Sequence, residues 1–172
     1  MSTRLDLSQL SLMDALDLAT LIEIEAHERY VNFAAQFGRR GGLDPGAFFL
    51  SMAENEAKHG KLLSARRRAL FGTTPARLTI SDLYDVEAPD SGAPRSSMST
   101  LQAFELGIEA EQKAHDFYAD ALPAITDPEV RALFIELRDE ETEHVEMLRK
   151  AIAQLPASAS DEDEDEDDYN AL

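Results

Sequence analysis

The chain has 172 residues, no cysteine, and 34 acidic against 16 basic side chains, for a formal net charge of −18 at pH 7. The lack of cysteine excludes disulfides, thiolate-held zinc and iron–sulfur clusters. The acidity, with no basic stripe anywhere, argues against nucleic-acid binding, and no apolar run is long enough to cross a bilayer. The N-terminus carries no basic segment followed by an apolar one, so no secretory leader is expected and the cytoplasm is the expected location.

In chain order, the first helix is expected from about Ser8 to Phe37, stopping at the glycines of "GRRGG". The second opens at "DPGAFF", where Asp44 can cap and Pro45 suits the first helical position; it ends near "LFGTTP". The third starts at "STLQ", a capping-box pattern of Ser99 and Gln102, and ends near Pro123. The fourth starts at "TDPEV", with Asp127 as cap and Pro128 following, and fades at Leu155 and Pro156. Short links join helices one and two, and again three and four, which makes two antiparallel hairpins. The stretch Thr73–Met98 between them is long enough to cross the bundle. Either hairpin alone would bury too little to stand, so two separate domains are rejected. The expected fold class is all-α: a four-helix bundle over residues 1–155 with a long crossover between helices two and three. Residues 156–172 form a separate tail. Its acidic run Asp161–Asp168 has nothing apolar to bury and is expected to be disordered and dispensable for folding.

The two hairpins repeat one another. "EIEAHERY" sets out Glu23, His27 and Tyr30, and "EQKAHDFY" sets out Glu111, His115 and Tyr118 at the same spacing. Each hairpin then continues with a Glu-x-x-His pair, Glu56/His59 and Glu141/His144. Three residues apart on a helix means nearly one face. In the fourth helix Val130, Phe134, Leu137, Leu148 and Ala151 form the apolar stripe, and Glu141 and His144 fill its gap. Glu56 and His59 do the same between Phe49, Met52 and Leu63, while Glu23 and Glu111 lie on the stripes of helices one and three. Glu25, Glu28, Glu109 and Asp116 fall on polar faces and are rejected. Four inward carboxylates need compensation. One Glu from each of two helices plus Glu-x-x-His from each of the other two is a two-metal carboxylate donor set. Oxygen-rich sites with two imidazoles suit iron or manganese rather than zinc. Without metal, all four carboxyls are expected to have raised pKa values. For His27 and His115 a hydrogen bond to a ligand, direct ligation and plain packing all remain open, and Tyr30 and Tyr118 are either core aromatics or residues acting beside the metals.

With these residues placed, the chain resembles the ferritin-like superfamily over about residues 8–154, most closely the rubrerythrin-type diiron domains. The stretch from "EAEQKAHDFY" to "RDEETEH" is also similar to the iron-loading helices of encapsulated ferritins. The resemblance implies two iron ions, with Glu56 and Glu141 bridging, Glu23 and Glu111 terminal, and one histidine for each iron. It also implies an oxidoreductase that oxidises Fe(II) with O2 or H2O2, as a ferroxidase or peroxidase, with Tyr30 and Tyr118 as catalytic candidates. Manganese is the alternative metal. The chain departs from the resemblance in lacking a cysteine-bound iron, so a peroxidase would need an external electron-donor protein. The further glutamate one turn from the third-helix ligand is also missing, since Ile108 and Ala114 stand there. Ala57 replaces the methionine that holds haem in bacterioferritins, and no haem is expected. A homodimer or higher homo-oligomer is expected. Two rival readings are a non-catalytic iron- or manganese-binding protein, either a store or a cargo that hands iron to a shell, and an interaction protein acting through the acidic tail.

Overall fold

The structure, a computed structural model, describes residues 6–38, 44–79, 95 and 97–155. Four helices account for most of them: α1 (Leu12–Phe37), α2 (Pro45–Phe71), α3 (Thr100–Ala121) and α4 (Pro128–Ile152), preceded by a 3-10 turn at Leu7–Gln9. The fold is an all-α bundle of two antiparallel hairpins, α1/α2 and α3/α4. The middle of the crossover and the acidic tail lie outside the described residues, as does the boundary expected between bundle and tail.

Local chemistry sets the helix ends. Ser11 and Asp14 form a reciprocal capping box at the start of α1, and Ser99 and Gln102 do the same for α3. Asp44 accepts the Ala47 N–H at 2.9 Å, and Asp127 accepts those of Glu129 and Val130. Caps of this kind are each worth about 1 kcal/mol. The first helix thus begins later than Ser8. Asp6 caps a separate 3-10 turn, Leu10 is extended, and only then does Ser11 open α1. Asp14 can be buried because Arg77, from the start of the crossover, donates to it. Leu78 beside it packs on the bundle.

The first hairpin closes tightly. A Cβ on Gly46 would stand 3.1 Å from Gly38 Cα and 3.2 Å from Ala34 O, so a side chain there would force the end of α1 and the start of α2 apart. Gly38 itself has φ of 29°, a conformation few other residues adopt.

The interior is divided along its length. One apolar cluster combines Leu16, Leu18, Ile22, Tyr118, Phe134 and Leu137. The other combines Tyr30, Phe33, Phe37, Phe49, Phe104 and Leu148. Burying each such side chain stabilises the fold by about 1.5–3 kcal/mol. In the second cluster Phe33 meets Phe49 edge-on at 5.1 Å, and Phe49 lies 4.9 Å from Phe104 of the other hairpin. Between the clusters the bundle is crossed by a polar layer.

Candidate metal centre

That layer holds Glu23 on α1, Glu56 on α2, Glu111 on α3, and Glu141 and His144 on α4, all buried, with His59 on α2 at its edge. The sequence periodicity put these six side chains inward, and the structure brings them together. Glu25 and Glu109 sit half-buried on other faces and Glu28 and Asp116 are exposed, so none joins the layer.

His144 is the centre of the α4 side. Its Nδ1 lies 3.2 Å from Glu56 Oε1, 3.3 Å from Glu111 Oε2 and 3.5 Å from Glu141 Oε2. Burial would drive a proton off this imidazole, but the bond to Glu111 and the charge of Glu56 outweigh it and hold its pKa at about 9. His59 behaves in the opposite way. Burial, and next the charge of His144, lower its pKa. The two rings are stacked with centroids 5.5 Å apart and 7° between planes, so a charged imidazole faces a neutral one.

The carboxylates also divide. Burial raises Glu23 to about 7 and pushes Glu56 well up, with Glu111 adding to the effect on Glu56. Glu111 goes down, to about 2. Burial opposes this, but hydrogen bonds to His144, Glu141 and Tyr30 prevail. The expectation that every inward carboxyl is raised therefore fails at Glu111, where a proton-bearing imidazole and a phenol converge. Tyr30 donates its O–H to Glu111. Its own pKa is pushed far up by burial and then by Glu111, so it stays a donor. Tyr118 lies on the other side of the layer, buried edge-on to Phe134 at 5.3 Å.

Does a metal pair fit these residues? Glu23 Oε2, Glu56 Oε1 and His59 Nδ1 are buried with no hydrogen-bond partner. Buried polar atoms are rarely left so, and all three are good donors to a cation. Among the described residues, ligand atoms within 4.8 Å of one another form three groups: Glu56–His59–His144, Glu111–Glu141–His144 and Glu23–His59–Glu140. The residues fit the group.

Glu140 is the residue that sequence reasoning missed. It is half-buried, and its Oε2 is 3.8 Å from His59 Nδ1. Its only signal in the sequence was adjacency to Glu141. His27 and His115, left open above, now have partners outside the polar layer. His27 Nδ1 donates to the Ala53 carbonyl of α2 at 2.8 Å, and His115 bonds Asp116 on the surface.

The layer is open on one flank. A groove of about 720 Å³ runs between α1 and α2, lined by Glu23, His27, Glu56, Gly60, Lys61 and Arg68 among others. It exists because α2 presents Ala57, Gly60, Ser64 and Ala65 there. Residues this small leave the space that larger ones would fill.

A family model described as Rubrerythrin matches residues 14–152. Among solved structures the chain is similar to an uncharacterised conserved protein from Magnetospirillum magnetotacticum MS-1. The two are 28% identical with a TM-score of 0.68, over 86% of this chain and 97% of that one. A hypothetical protein from Pyrococcus furiosus is similar in fold, at 21% identity and a TM-score of 0.57, over 87% of this chain and 94% of the other. No curated protein matches. Among the described residues no helix is long and apolar enough to cross a membrane.

Proposed function

The chain belongs to the rubrerythrin family, all six candidate ligands fall within the matched span, and on that footing we propose that it is a two-metal carboxylate oxidoreductase that oxidises Fe(II) with O2 or H2O2. Glu23, Glu56, His59, Glu111, Glu141 and His144 are the ligands in this reading, iron is the metal and manganese the alternative. When bound, two iron ions supply two electrons to one oxidant molecule. The observation that carries the reading is the polar layer with its three buried donor atoms that make no hydrogen bond among the described residues, enclosed by apolar clusters on both sides.

The chain's own groups manage charge and protons. Glu56 feels the charges of Glu111, Glu23 and Glu141 from the three other helices and would help hold either cation. Glu23 and His144 hold protons in the metal-free layer, at pKa values of about 7 and about 9. Glu56, pushed well up by burial, holds one as well. Loading requires ionised Glu and neutral imidazole, so these protons leave as cations enter. Tyr30 keeps its proton, donates it in a hydrogen bond to Glu111 and orients that carboxylate. The apolar clusters exclude bulk water, and the α1/α2 groove gives a small oxidant a way in.

The test is anaerobic Fe(II) loading, elemental analysis, then stopped-flow mixing with O2 and separately with H2O2. Two metals per chain and fast oxidation by either oxidant support the proposal; one metal or none overturns it. A second reading, a binding or storage protein without turnover, is favoured by the absence of cysteine, which leaves no thiolate iron within residues 1–172 to return electrons to the pair. Two metals that oxidise once and do not cycle under added reductant would select it.

A further inference from the structure

We propose that Glu140 is a metal ligand, and that with Glu23 and His59 it forms the outer of two unequal cation positions. The inner position is Glu111–Glu141–His144, with Glu56 between the two. This rests on the two-metal reading and goes beyond its six-residue donor set.

The partition follows from the groupings themselves. Glu56–His59–His144 shares a histidine with each of the other two groups. Only Glu23–His59–Glu140 and Glu111–Glu141–His144 have no residue in common, which leaves one imidazole to each cation and Glu56 between them. Glu140 precedes Glu141 by one residue, about 100° around α4. It therefore leans toward α2 while Glu141 faces the layer. His59 Nδ1 stands 3.8 Å from Glu140 Oε2 and 3.8 Å from Glu23 Oε2. That is too long for hydrogen bonds. Two donors each about 2.1 Å from one cation stand roughly 3–4.2 Å apart, depending on the angle between them. Independently of Glu140, Glu23 Oε2 is buried without a hydrogen-bond partner among the described residues, in a side chain only 2% exposed, and it is aimed at the same point. Among the described residues no lysine or arginine is paired with Glu140. The nearby Arg66 is paired with Glu136 at 3.8 Å.

The two positions differ in depth. The inner three residues are all buried, whereas His59 and Glu140 keep side-chain exposures of 25% and 33%. Glu140 and His59 line a crevice of about 90 Å³ between α2 and α4. The outer cation would thus arrive through a carboxylate-edged opening and be held more loosely.

Co(II) is a suitable probe. It binds nitrogen and oxygen sites at least as tightly as Fe(II), and its visible absorption reports each site. Titrating the metal-free chain, by calorimetry and absorption, should give a tight step and a weaker one. Glu140→Gln should leave the tight step in place and weaken the other about 10–100-fold. Asp139→Asn, which removes the neighbouring exposed charge, should change neither. Glu140 is half-exposed, so the variant should fold, and a helical circular-dichroism signal like the wild type's will verify this. A Glu140→Gln chain with two wild-type steps, or with both steps lost, overturns the assignment while the two-metal reading stands. A wild-type chain that binds fewer than two Co(II) ions overturns the two-metal reading itself.

Discussion

The two Glu-x-x-His turns have the same spacing and opposite surroundings. On α4, His144 has a side chain 4% exposed, with three carboxylates within 3.5 Å. On α2, His59 is 25% exposed, and its carboxylates stand 3.8 Å away. The difference comes from what lies behind each turn. Val145, Leu148 and Leu133 seal α4, while the small residues of α2 leave the groove beside Glu23 and Glu56. A repeated motif thus aims two imidazoles at one place without giving them equal access. One hairpin supplies a charged, enclosed histidine and the other a neutral, reachable one.

Removing what the halves share should have the largest effect. Glu56→Ala is expected to abolish binding of the metal pair, read as metal content after Fe(II) loading. Two metals retained would mean that Glu56 does not lie between two cations.

Next comes the contrast between the histidines. In the metal-free chain, His144→Ala strips the proton-bearing partner from Glu111 and leaves a buried carboxylate uncompensated, at a cost of about 3–5 kcal/mol. His59→Ala removes a neutral, half-exposed ring and should cost under about 1 kcal/mol. Urea unfolding of both variants checks this; equal losses would erase the asymmetry.

The pH dependence of the metal-free fold has a definite sign. Glu23 is raised from 4.5 to about 7, and His144 from 6.5 to about 9. In both windows the folded state binds more protons than the unfolded one, so stability is lost as pH rises from about 4.5 through about 9. Glu111, lowered to about 2, acts the other way, and its contribution disappears as pH falls from 4.5 toward 2. His59, lowered from 6.5, also opposes the trend by costing stability as pH falls below 6.5, but the raised Glu23, Glu56 and His144 outnumber it. Apo stability should therefore peak in mild acid. Metal needs the deprotonated donors, so the gap in melting temperature between loaded and apo protein should widen toward alkaline pH, by roughly 2–4 °C for each kcal/mol. Melts with and without Mn(II) across this range test it, and a constant gap would contradict the shared buried layer.

Below the His144 loss stands that of Tyr30→Phe, which removes one bond to a charged carboxylate and should cost about 1.5–3 kcal/mol at neutral pH, with less of that loss below the Glu111 titration. Chemical-denaturant curves at both pH values would show it, and an equal cost at both would separate Tyr30 from Glu111.

The helices were legible because their caps are written in short patterns, and the inward set because apolar stripes of all four helices share gaps filled by Glu and His. The start of α1 was not, since Ser8 and Ser11 are both plausible caps and only the Asp14 contacts with Ser11 and Arg77 favour the second. Glu140 escaped for a geometric reason. It lies off its own helix's stripe and gains meaning only from His59 across the α2/α4 crevice, a juxtaposition no periodicity encodes. Glu111 was misjudged in the same way, because the groups that lower its pKa come from α1 and α4.

The close backbone packing lies mainly within α1/α2 and within α3/α4, and each hairpin carries half of the six ligands. Contacts local in sequence form fast, whereas docking across the crossover must wait for loop closure. In kinetic terms the polar layer is the last seam to close. It brings like-charged carboxylates from both halves together at the moment water is expelled. A cation captured during closure would relieve that repulsion and lock the seam. Refolding of the metal-free chain should therefore slow as pH rises and recover when Mn(II) is present from the first millisecond, a dependence stopped-flow fluorescence of the buried tyrosines can follow. The supply of the metal would then set how quickly new chains mature.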